Sequence, residues 1–302
     1  MNNVDNSKIE RHLGKTSEYK SIYDNSLLVS EPRQSNRNHL NINESNLPFI
    51  GHDIWNGYEV SFLLNHGLPV SAIAKVTYSA NSKYIVESKS MKLYWNSFNM
   101  TKMGATEILA LNAVKDLATK DLSNLLETEV TVNLFLAKGF CSSSINNYLS
   151  YVTLEDIYKP TCTVYSETPD LLKESSYIGN NLYVDQTYSY KYHSSLLKSN
   201  CRVTSQPDWG DVYIKYTGTK SIDGSALLQY IISFRDECHF HEEICETIYT
   251  RIWEKFKPLG LLVKCLYVRR GGWDINPIRA SDPLMLADDE INSRIWSKTD
   301  RQ

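Results

Sequence analysis

The sequence lacks a long apolar run. No stretch of about 18 apolar residues occurs anywhere in its 302 residues, and a helix needs about that length to cross a bilayer. Its first fifteen residues, MNNVDNSKIERHLGK, contain no apolar centre of the kind that a signal peptide requires. We therefore expect a cytoplasmic protein that contacts no membrane.

The sequence also lacks an excess of either charge. Its 32 Lys and Arg residues nearly balance 35 Asp and Glu residues, which leaves a formal net charge of -3. A protein that binds the phosphate backbone of nucleic acids usually carries a large basic excess. We expect no nucleic-acid partner.

Three familiar motifs are missing as well. No G-x-G-x-x-G follows a predicted strand, so a nicotinamide cofactor cannot be held in the Rossmann manner. No C-x2-C pair of a structural zinc site occurs. No secretory signal accompanies the cysteines, so we expect reduced thiols. The six cysteines are Cys141, Cys162, Cys201, Cys238, Cys245 and Cys265.

What is present is enough apolar material for a packed core, with 42% hydrophobic and 11% aromatic residues. The pattern of predicted strands and helices indicates the α+β class and four segments. These are a polar N-terminal arm at 1–46, a first module at 47–140, a connector at 141–195 and a second module at 196–302. We expect the arm to be extended or loosely ordered, because it is rich in Asn, Ser and charge.

Periodicity predicts the same series of elements in both modules. The first module has a predicted strand AIAKVTYSA, a helix within GATEILALNAVKDLATKDLSNLL and a strand VTVNLFLA. The second has a strand DVYIKYTG, a helix HEEICETIYTRIWEKF and a strand LLVKCLYVRR. We also predict strand character for YIVESKSMKLYW and for ALLQYIISF.

The two modules can be aligned without a gap over twelve residues. Glu87–Phe98 then matches Asp223–Phe234, with acid on acid at the start and identities at Tyr, Ser and Phe. Together with the shared order of elements, this indicates an internal duplication.

Cys201 lies in a turn-rich stretch just before a predicted strand, SNCRVTSQPDWG. A cysteine there is more accessible than one inside an apolar run, and the adjacent Arg202 would help to lower the pKa of its thiol. Asp208 follows seven residues later. A thiolate nucleophile with a nearby carboxyl group as proton donor is a reasonable catalytic pair, and a structural loop is the alternative.

Three further segments combine polar residues in patterns that suit ligands. Glu87, Ser88, Lys89 and Ser90 offer a carboxylate, hydroxyls and an amine, or else form an exposed strand end. Arg269–Gly272 ends a strand with two arginines and two glycines, which suits phosphate or a plain turn.

His241 and Glu242 open a predicted helix, where an acidic residue is favoured even without a ligand. Cys238, His241 and Cys245 are spaced three and four residues apart, which would place them on one helical face. This spacing leaves a metal site as a less favoured interpretation.

These segments together resemble one family, the NADPH-dependent 7-cyano-7-deazaguanine reductases in their long, two-module form. LGKTSEYKSIYDNSLL and LPFIGHDIWNGYE are similar to its N-terminal stretch, and ESKSMKLYWNSFN is similar to its signature segment. SNCRVTSQPDWG resembles its nucleophile segment, and FHEE and RRGGWDINP resemble its ligand segments.

The resemblance implies two tandem tunnelling-fold modules, each an antiparallel sheet with helices on one face, in a homodimer. It implies NADPH as cofactor, no metal, and reduction of a nitrile to a primary amine through a Cys201 thioimide and two hydride transfers, a step in queuosine biosynthesis. It implies catalysis by Cys201 and Asp208, substrate binding by Val86, Glu87, Ser88, His241 and Glu242, and NADPH binding by Ser88, Lys89, Arg270 and Gly271.

Two other functions stay open. One is a zinc-dependent, cyclohydrolase-like enzyme that uses the Cys and His residues between 238 and 245. The other is a non-catalytic module that binds a purine or pterin. Function is carried by sites rather than folds, so shared architecture alone does not decide among the three.

Overall fold

The structure is a computed structural model that describes residues 19–138, 150–175, 187–202, 204–286, 299 and 301–302. The first 18 residues of the predicted arm, Cys141 and part of the predicted connector lie outside the described residues. The strands are β1 Ser30–Pro32, β2 Ile50–Leu64, β3 Pro69–Ser79, β4 Tyr84–Val86, β5 Lys102–Gly104, β6 Val130–Leu136, β7 Val152–Thr153, β8 Tyr188–Asn200, β9 Pro207–Gly218, β10 Gly260–Tyr267 and β11 Trp273–Ala280. The α-helices are α1 Gln34–His39, α2 Ser88–Ser97, α3 Glu107–Leu126, α4 Leu154–Ile157, α5 Gly224–Ile232 and α6 His241–Phe256.

A nine-stranded sheet forms the centre of the protein, in the order β6-β3-β2-β11-β10-β9-β8-β7, with β5 beside β2. The long strands pair in antiparallel fashion, whereas the short β5 and β7 run parallel to their partners. In each module a hairpin is followed by two helices and a strand that pairs with the second strand of the hairpin. This arrangement confirms the α+β class and the two tandem modules.

Each pair of helices packs against the strands of its own module. Side chains of α2 and α3 share an apolar core with β2, β3 and β6, and those of α5 and α6 share another with β8, β9 and β10. The apolar positions of α6 recur every four residues and are fully buried. The predicted helices at α3 and α6 are confirmed.

Strand β11 joins the two modules into one sheet. It pairs with β10 along one edge and with β2 along the other, where Arg279 lies opposite Gly51. The backbones come close at this point, because a Cβ atom added to Gly51 would lie 1.9 Å from the carbonyl oxygen of Ile278. A side chain at position 51 would therefore disturb the junction.

Two segments predicted as strands are helices for most of their length. ESKSMKLYW forms α2 and ALLQYIISF forms most of α5. The reason is the acid before each helix: Glu87 accepts from the amides of Lys89 and Ser90 at 2.9 and 2.7 Å. Asp223 accepts from the two equivalent amides after it. The aligned acids are thus N-caps at equivalent places in the two modules.

Residues 19–46 are more ordered than their composition indicates. They contain β1 and α1, and Arg33 and Arg37 are buried with 3% and 1% of their surface exposed. The prediction of a loosely ordered start is wrong for these residues, because the buried arginines meet carboxylates that lie far away in sequence. Among the described helices, none is long and apolar enough to cross a membrane.

Candidate active site

Residues of both modules line one open cavity of about 190 Å³. Every residue that was predicted for catalysis, substrate binding or cofactor binding contributes to its wall. These residues are Val86, Glu87, Ser88, Lys89, Cys201, Asp208, His241, Glu242, Arg270 and Gly271.

Cys201 lies in the tight turn between β8 and β9. Its amide donates to the carbonyl of Gln206 at 2.8 Å, and its carbonyl accepts from the amide of Ser205 at 2.9 Å. The turn is also tied to the segment before α6, since the amide of His239 donates to the carbonyl of Asn200 at 3.1 Å. The thiol is partly exposed and faces the cavity, so a ligand can reach it.

Arg202, which follows Cys201, contacts residues at the start of α6. Its guanidinium pairs with Glu243 at 3.0 Å and lies over the ring of Phe240, 5.3 Å from the ring centroid. Its charge is therefore shared with a carboxylate of α6 rather than reserved for the neighbouring thiol.

Asp208 is the second residue of β9 and is 3% exposed. One carboxylate oxygen accepts from Arg270 at 2.6 Å, and the other lies 3.4 Å from Nε2 of His241. Arg270 also donates to Gln206 in the Cys201 turn, at 2.7 Å. Arg270 thus links the carboxyl group to the turn that carries the thiol.

Glu242, in the first turn of α6, is 2% exposed. Burial, and next the negative charge of Asp53, raise the pKa of Glu242 to about 8. Its Oε1 atom has no hydrogen-bond partner among the residues that the structure describes. A buried acceptor without a partner is costly, and a ligand with an N–H donor would satisfy it.

His241 lies beside Glu242 with its ring stacked on Tyr267, at a centroid distance of 3.8 Å and an angle of 13°. Within the described part of the chain, its Nδ1 atom has no hydrogen-bond partner. Stacking fixes the plane of the imidazole, so this second polar atom is also held at the cavity in a defined orientation.

Glu87 is buried rather than solvated, with 7% of its surface exposed. Its two carboxylate oxygens cap α2, which uses part of their capacity to accept hydrogen bonds. Each oxygen can accept more than one bond, so Glu87 can still meet a ligand donor. Val86, at the end of β4, and Ser88, at the start of α2, lie on either side of it.

The basic side of the cavity lies where α2 faces the turn between β10 and β11. Lys89 and Lys92 come from one face of α2, and Arg270 comes from the turn. Gly271 has a φ of +60°, and a Cβ atom there would lie 2.6 Å from Cδ of Lys92. Glycine thus permits both the backbone conformation and the approach of the lysine.

Several lining residues were missed from the sequence. Trp55, Phe240, Trp273 and Ile275 give the cavity apolar walls suited to a flat ring, and Lys92, Thr204 and His239 are polar. The four apolar residues lie inside the segments that resemble the family. Their position beside the predicted site residues could therefore have identified them. Lys92 follows Lys89 by three residues, which was a signal for a shared helical face.

The residues considered for a metal do not form one ligand set. Cys245 is fully buried, with its thiol 3.5 Å from the carbonyl of Val263, whereas Cys238 is exposed. Over the described ranges, no group of three or more His, Cys, Asp or Glu side chains could hold a metal ion.

Comparison with known proteins gives matches over most of the chain. Residues 19–134 match the family model described as nitrile reductase, 7-cyano-7-deazaguanine-reductase N-term, and residues 207–283 match the model described as QueF-like protein. The crystal structure of an archaeosine synthase in the apo form is similar over 31% of this chain and 91% of that one. Its TM-score is 0.28 and its identity 15%, a likeness that adds nothing on fold or function.

Three bacterial relatives carry the name NADPH-dependent 7-cyano-7-deazaguanine reductase. The Legionella pneumophila (strain Paris) protein is 39% identical over 91% of this chain and 90% of its own. The Colwellia psychrerythraea protein is 40% identical over 89% and 91%, and the Cupriavidus metallidurans protein is 41% identical over 93% and 97%. The chain therefore belongs to the family of NADPH-dependent 7-cyano-7-deazaguanine reductases.

Proposed function

We propose that this protein reduces the nitrile of 7-cyano-7-deazaguanine to a primary amine, with Cys201 as nucleophile and NADPH as reductant. The observation that carries the proposal is the convergence of Cys201, Asp208 and Glu242 on one cavity built from both modules. The names and the high coverage of the relatives supply the substrate and the cofactor.

The substrate is recognised through its donor edge. A deazaguanine ring presents N–H groups, and the unpartnered Oε1 of Glu242 is a buried acceptor for them. Glu87 supplies a second carboxylate, while Trp55 and Trp273 contribute flat apolar surface. A ring without those donors would leave the buried carboxylate unsatisfied, which disfavours its binding.

The chemical step begins at the nitrile carbon. The sulfur of Cys201 forms a bond to this carbon, one π bond of the nitrile breaks, and the nitrogen takes a proton, which gives a thioimide. Asp208 is the group that we assign to that proton transfer. Its bonds to Arg270 and His241 fix the carboxyl group in place.

The basic side of the cavity suits a cofactor with phosphate groups. The residues that we assign to NADPH are Ser88, Lys89, Arg270 and Gly271, because hydroxyl and cationic side chains and an exposed glycine backbone favour phosphate. When bound, NADPH supplies hydride, and reduction of a nitrile to an amine consumes two equivalents. Expulsion of the Cys201 thiol between the two reductions frees the nucleophile and leaves the substrate as an imine, which is reduced to the amine in the second step.

Three further assignments are part of the proposal. The protein acts as a homodimer in the cytoplasm, in the biosynthesis of queuosine. Its modules extend over 47–140 and 196–302, with the segment 141–195 as connector. Light scattering of the purified protein tests the dimer, since a monomer would give 34.7 kDa.

The activity is tested by mixing the protein with 7-cyano-7-deazaguanine and NADPH and following the absorbance of NADPH. We expect two NADPH oxidised per nitrile consumed, and the aminomethyl product by mass spectrometry. Folded protein that binds the nitrile without oxidising NADPH would overturn the reductase assignment.

A further inference from the structure

Five charged side chains form a cluster beneath the cavity, and each is at most 3% exposed. We call them the buried ion cluster. Its members come from the N-terminal segment, from the junction strands β2 and β11, and from α6, one helical turn after Glu242. They are Arg33, Arg37, Asp53, Glu246 and Arg279.

Asp53 lies between two arginines. Arg279 donates to one of its oxygens at 2.8 Å, and Arg33 pairs with the other. Burial opposes the charged form of Asp53, but Arg279 and Arg33 together hold the pKa of this carboxyl below its usual value. Asp53 is thus a permanent negative charge under the cavity.

Glu246 joins the same arginines from the side of α6. Arg279 and Arg37 donate to Oε1 at 2.9 and 2.8 Å, and Arg33 lies 3.5 Å from the same atom. Arg37 also donates to the carbonyl of Ala80 at 2.7 Å and lies 3.8 Å from Glu44. The cluster therefore ties α6, which carries Glu242, to the N-terminal segment and to both modules.

The three arginines of the cluster face three carboxylates. Asp53 and Glu246 are buried, and the partly exposed Glu44 lies 3.8 Å from Arg37. Glu242 lies one helical turn before Glu246 on α6. Its charged form is opposed by burial and by Asp53, and it is favoured by Arg33 and Arg279.

His52 and Tyr78 also face this region, and burial lowers the pKa of His52. Tyr78 on β3 lies under Arg33, and the distance between its ring centroid and the guanidinium carbon is 5.8 Å. Its phenol interacts with Glu242. Burial keeps the pKa of Tyr78 well above its usual value, so it stays neutral. From outside its own helix, Asp53 opposes the charged form of Glu242, and Arg33 and Arg279 favour it.

We propose that Arg33 and Asp53 are positioning residues for substrate recognition, and that Arg33 supplies the counter-charge that lets Glu242 be ionised when it accepts N–H groups. This inference rests on the proposed function, because it concerns the same carboxylate and the same ring. Neither residue touches the cavity, so both act through Glu242.

The proposal predicts opposite shifts, in two variants, of the pH midpoint at which 7-cyano-7-deazaguanine binding levels off. In the wild type the affinity rises with pH and levels off above the pKa of Glu242 at about 8. Removing the positive charge by Arg33→Gln moves that midpoint upward by about one pH unit, so binding at pH 7 weakens about tenfold. Removing the negative charge by Asp53→Asn moves the midpoint downward.

Matched variants separate positioning from simple damage to the fold. Arg37→Gln removes a similarly buried arginine that binds Glu246 and the carbonyl of Ala80. Arg37 is not one of the charges that act on Glu242, so this variant lowers the melting temperature and leaves the midpoint in place. Arg33→Lys keeps the charge and keeps the midpoint near that of the wild type. Glu242→Gln removes the titrating group and flattens the pH profile.

The experiment is a titration of full-length protein with 7-cyano-7-deazaguanine between pH 6 and 9, without NADPH, in the background Cys201→Ala so that only reversible binding is measured. Opposite shifts in Arg33→Gln and Asp53→Asn support the inference. Unchanged midpoints in folded variants, or an equal shift in Arg37→Gln, overturn it. If Arg33→Gln does not fold, the midpoints of Asp53→Asn and Arg33→Lys test the inference instead. Absence of binding in the parent protein would count instead against the proposed substrate.

Discussion

At the scale of single residues, two buried carboxyl groups in one cavity have different surroundings. Asp208 is bonded to Arg270 and lies beside His241. Glu242 keeps one oxygen without a partner among the described residues, and burial raises its pKa to about 8. The two carboxyl groups therefore differ in how much of their hydrogen-bonding capacity is left for a ligand.

Replacing Asp208 by Asn tests its role as proton donor. The amide preserves size but cannot supply a proton, so we expect turnover to fall about 10²- to 10⁴-fold with a small change in KM for the nitrile. Steady-state kinetics with NADPH in excess measure both quantities.

Asp211→Asn is the matched control for that variant. Asp211 lies on the same strand, but it binds His193 and Arg301 and does not line the cavity. Turnover of Asp211→Asn should match the wild type. Equal losses in the two variants would indicate general damage to β9 and would contradict the role of Asp208.

The ten predicted site residues could be named because they lie in segments that resemble a family. The contacts among them could not be predicted, since Asp208 and Arg270 are 62 residues apart and meet only in the folded chain. Trp55 and Lys92 were missed although each lies in a segment that resembles the family, because their place at the cavity is evident only once β2 and α2 are brought together.

At the scale of elements, the N-terminus of α6 holds the nucleophile turn through Glu243. One oxygen of Glu243 accepts from the amide of Phe240 at 3.0 Å and pairs with Arg202 at 3.0 Å. It also meets Nδ1 of His239 at 3.3 Å. The acid thus connects the start of the helix to the residue that follows Cys201.

This link should depend on pH through His239. Burial works against its charged form, but the hydrogen bond and charge of Glu243 raise the pKa of His239 above the ordinary 6.5. A raised pKa stabilises the folded state below pH 6.5, and that stabilisation is lost as pH rises through the folded value. Hydrogen-exchange protection of the Asn200 and His239 amides should therefore be greater at pH 6 than at pH 8.

Glu243→Gln is the control for that measurement. It removes the charge, so protection of both amides should fall at pH 6 and lose most of its dependence on pH. Protection that does not change with pH in the wild type would contradict the link between His239 and the turn.

The long amphipathic helices were predictable, whereas α2 and α5 were not. The apolar residues of α6 return every four positions, which indicates a helix directly. α5 is apolar on nearly every side because it is buried, so its sequence has no period that separates a helix from a buried strand. The N-cap acids Glu87 and Asp223 were the overlooked signal.

At the scale of the whole molecule, β11 makes the two modules one sheet and brings their cavity walls together. Trp273 and Ile275 of β11 pack in the core of the first module, although β11 follows the elements of the second. The two modules should therefore unfold in a single cooperative transition.

A substitution at the junction tests this coupling. Gly51→Ala places a methyl group against the Ile278 carbonyl, and overpacking of this kind costs about 3 kcal/mol. We expect one melting transition at a lower temperature in calorimetry. Ser71→Ala, at an exposed position of β3, should melt like the wild type. Two separate transitions in Gly51→Ala would contradict the coupling of the modules.

The N-terminal segment was the part of the molecule least readable from sequence. Its polar composition is typical of a solvated arm, yet Arg33 and Arg37 are buried against Asp53 and Glu246. Composition reports how polar a segment is, but not whether its charges find partners elsewhere in the chain.

The most direct test of the account is an intact mass of the protein incubated with 7-cyano-7-deazaguanine in the absence of NADPH. We predict an added mass equal to the whole substrate, mapping to Cys201 after digestion, because thiol addition to a nitrile loses no atoms. The adduct should persist in Cys238→Ala, where the exposed neighbouring cysteine is removed, and disappear in Cys201→Ala. An adduct on another cysteine, or turnover by Cys201→Ala, would contradict the central claim that Cys201 is the nucleophile.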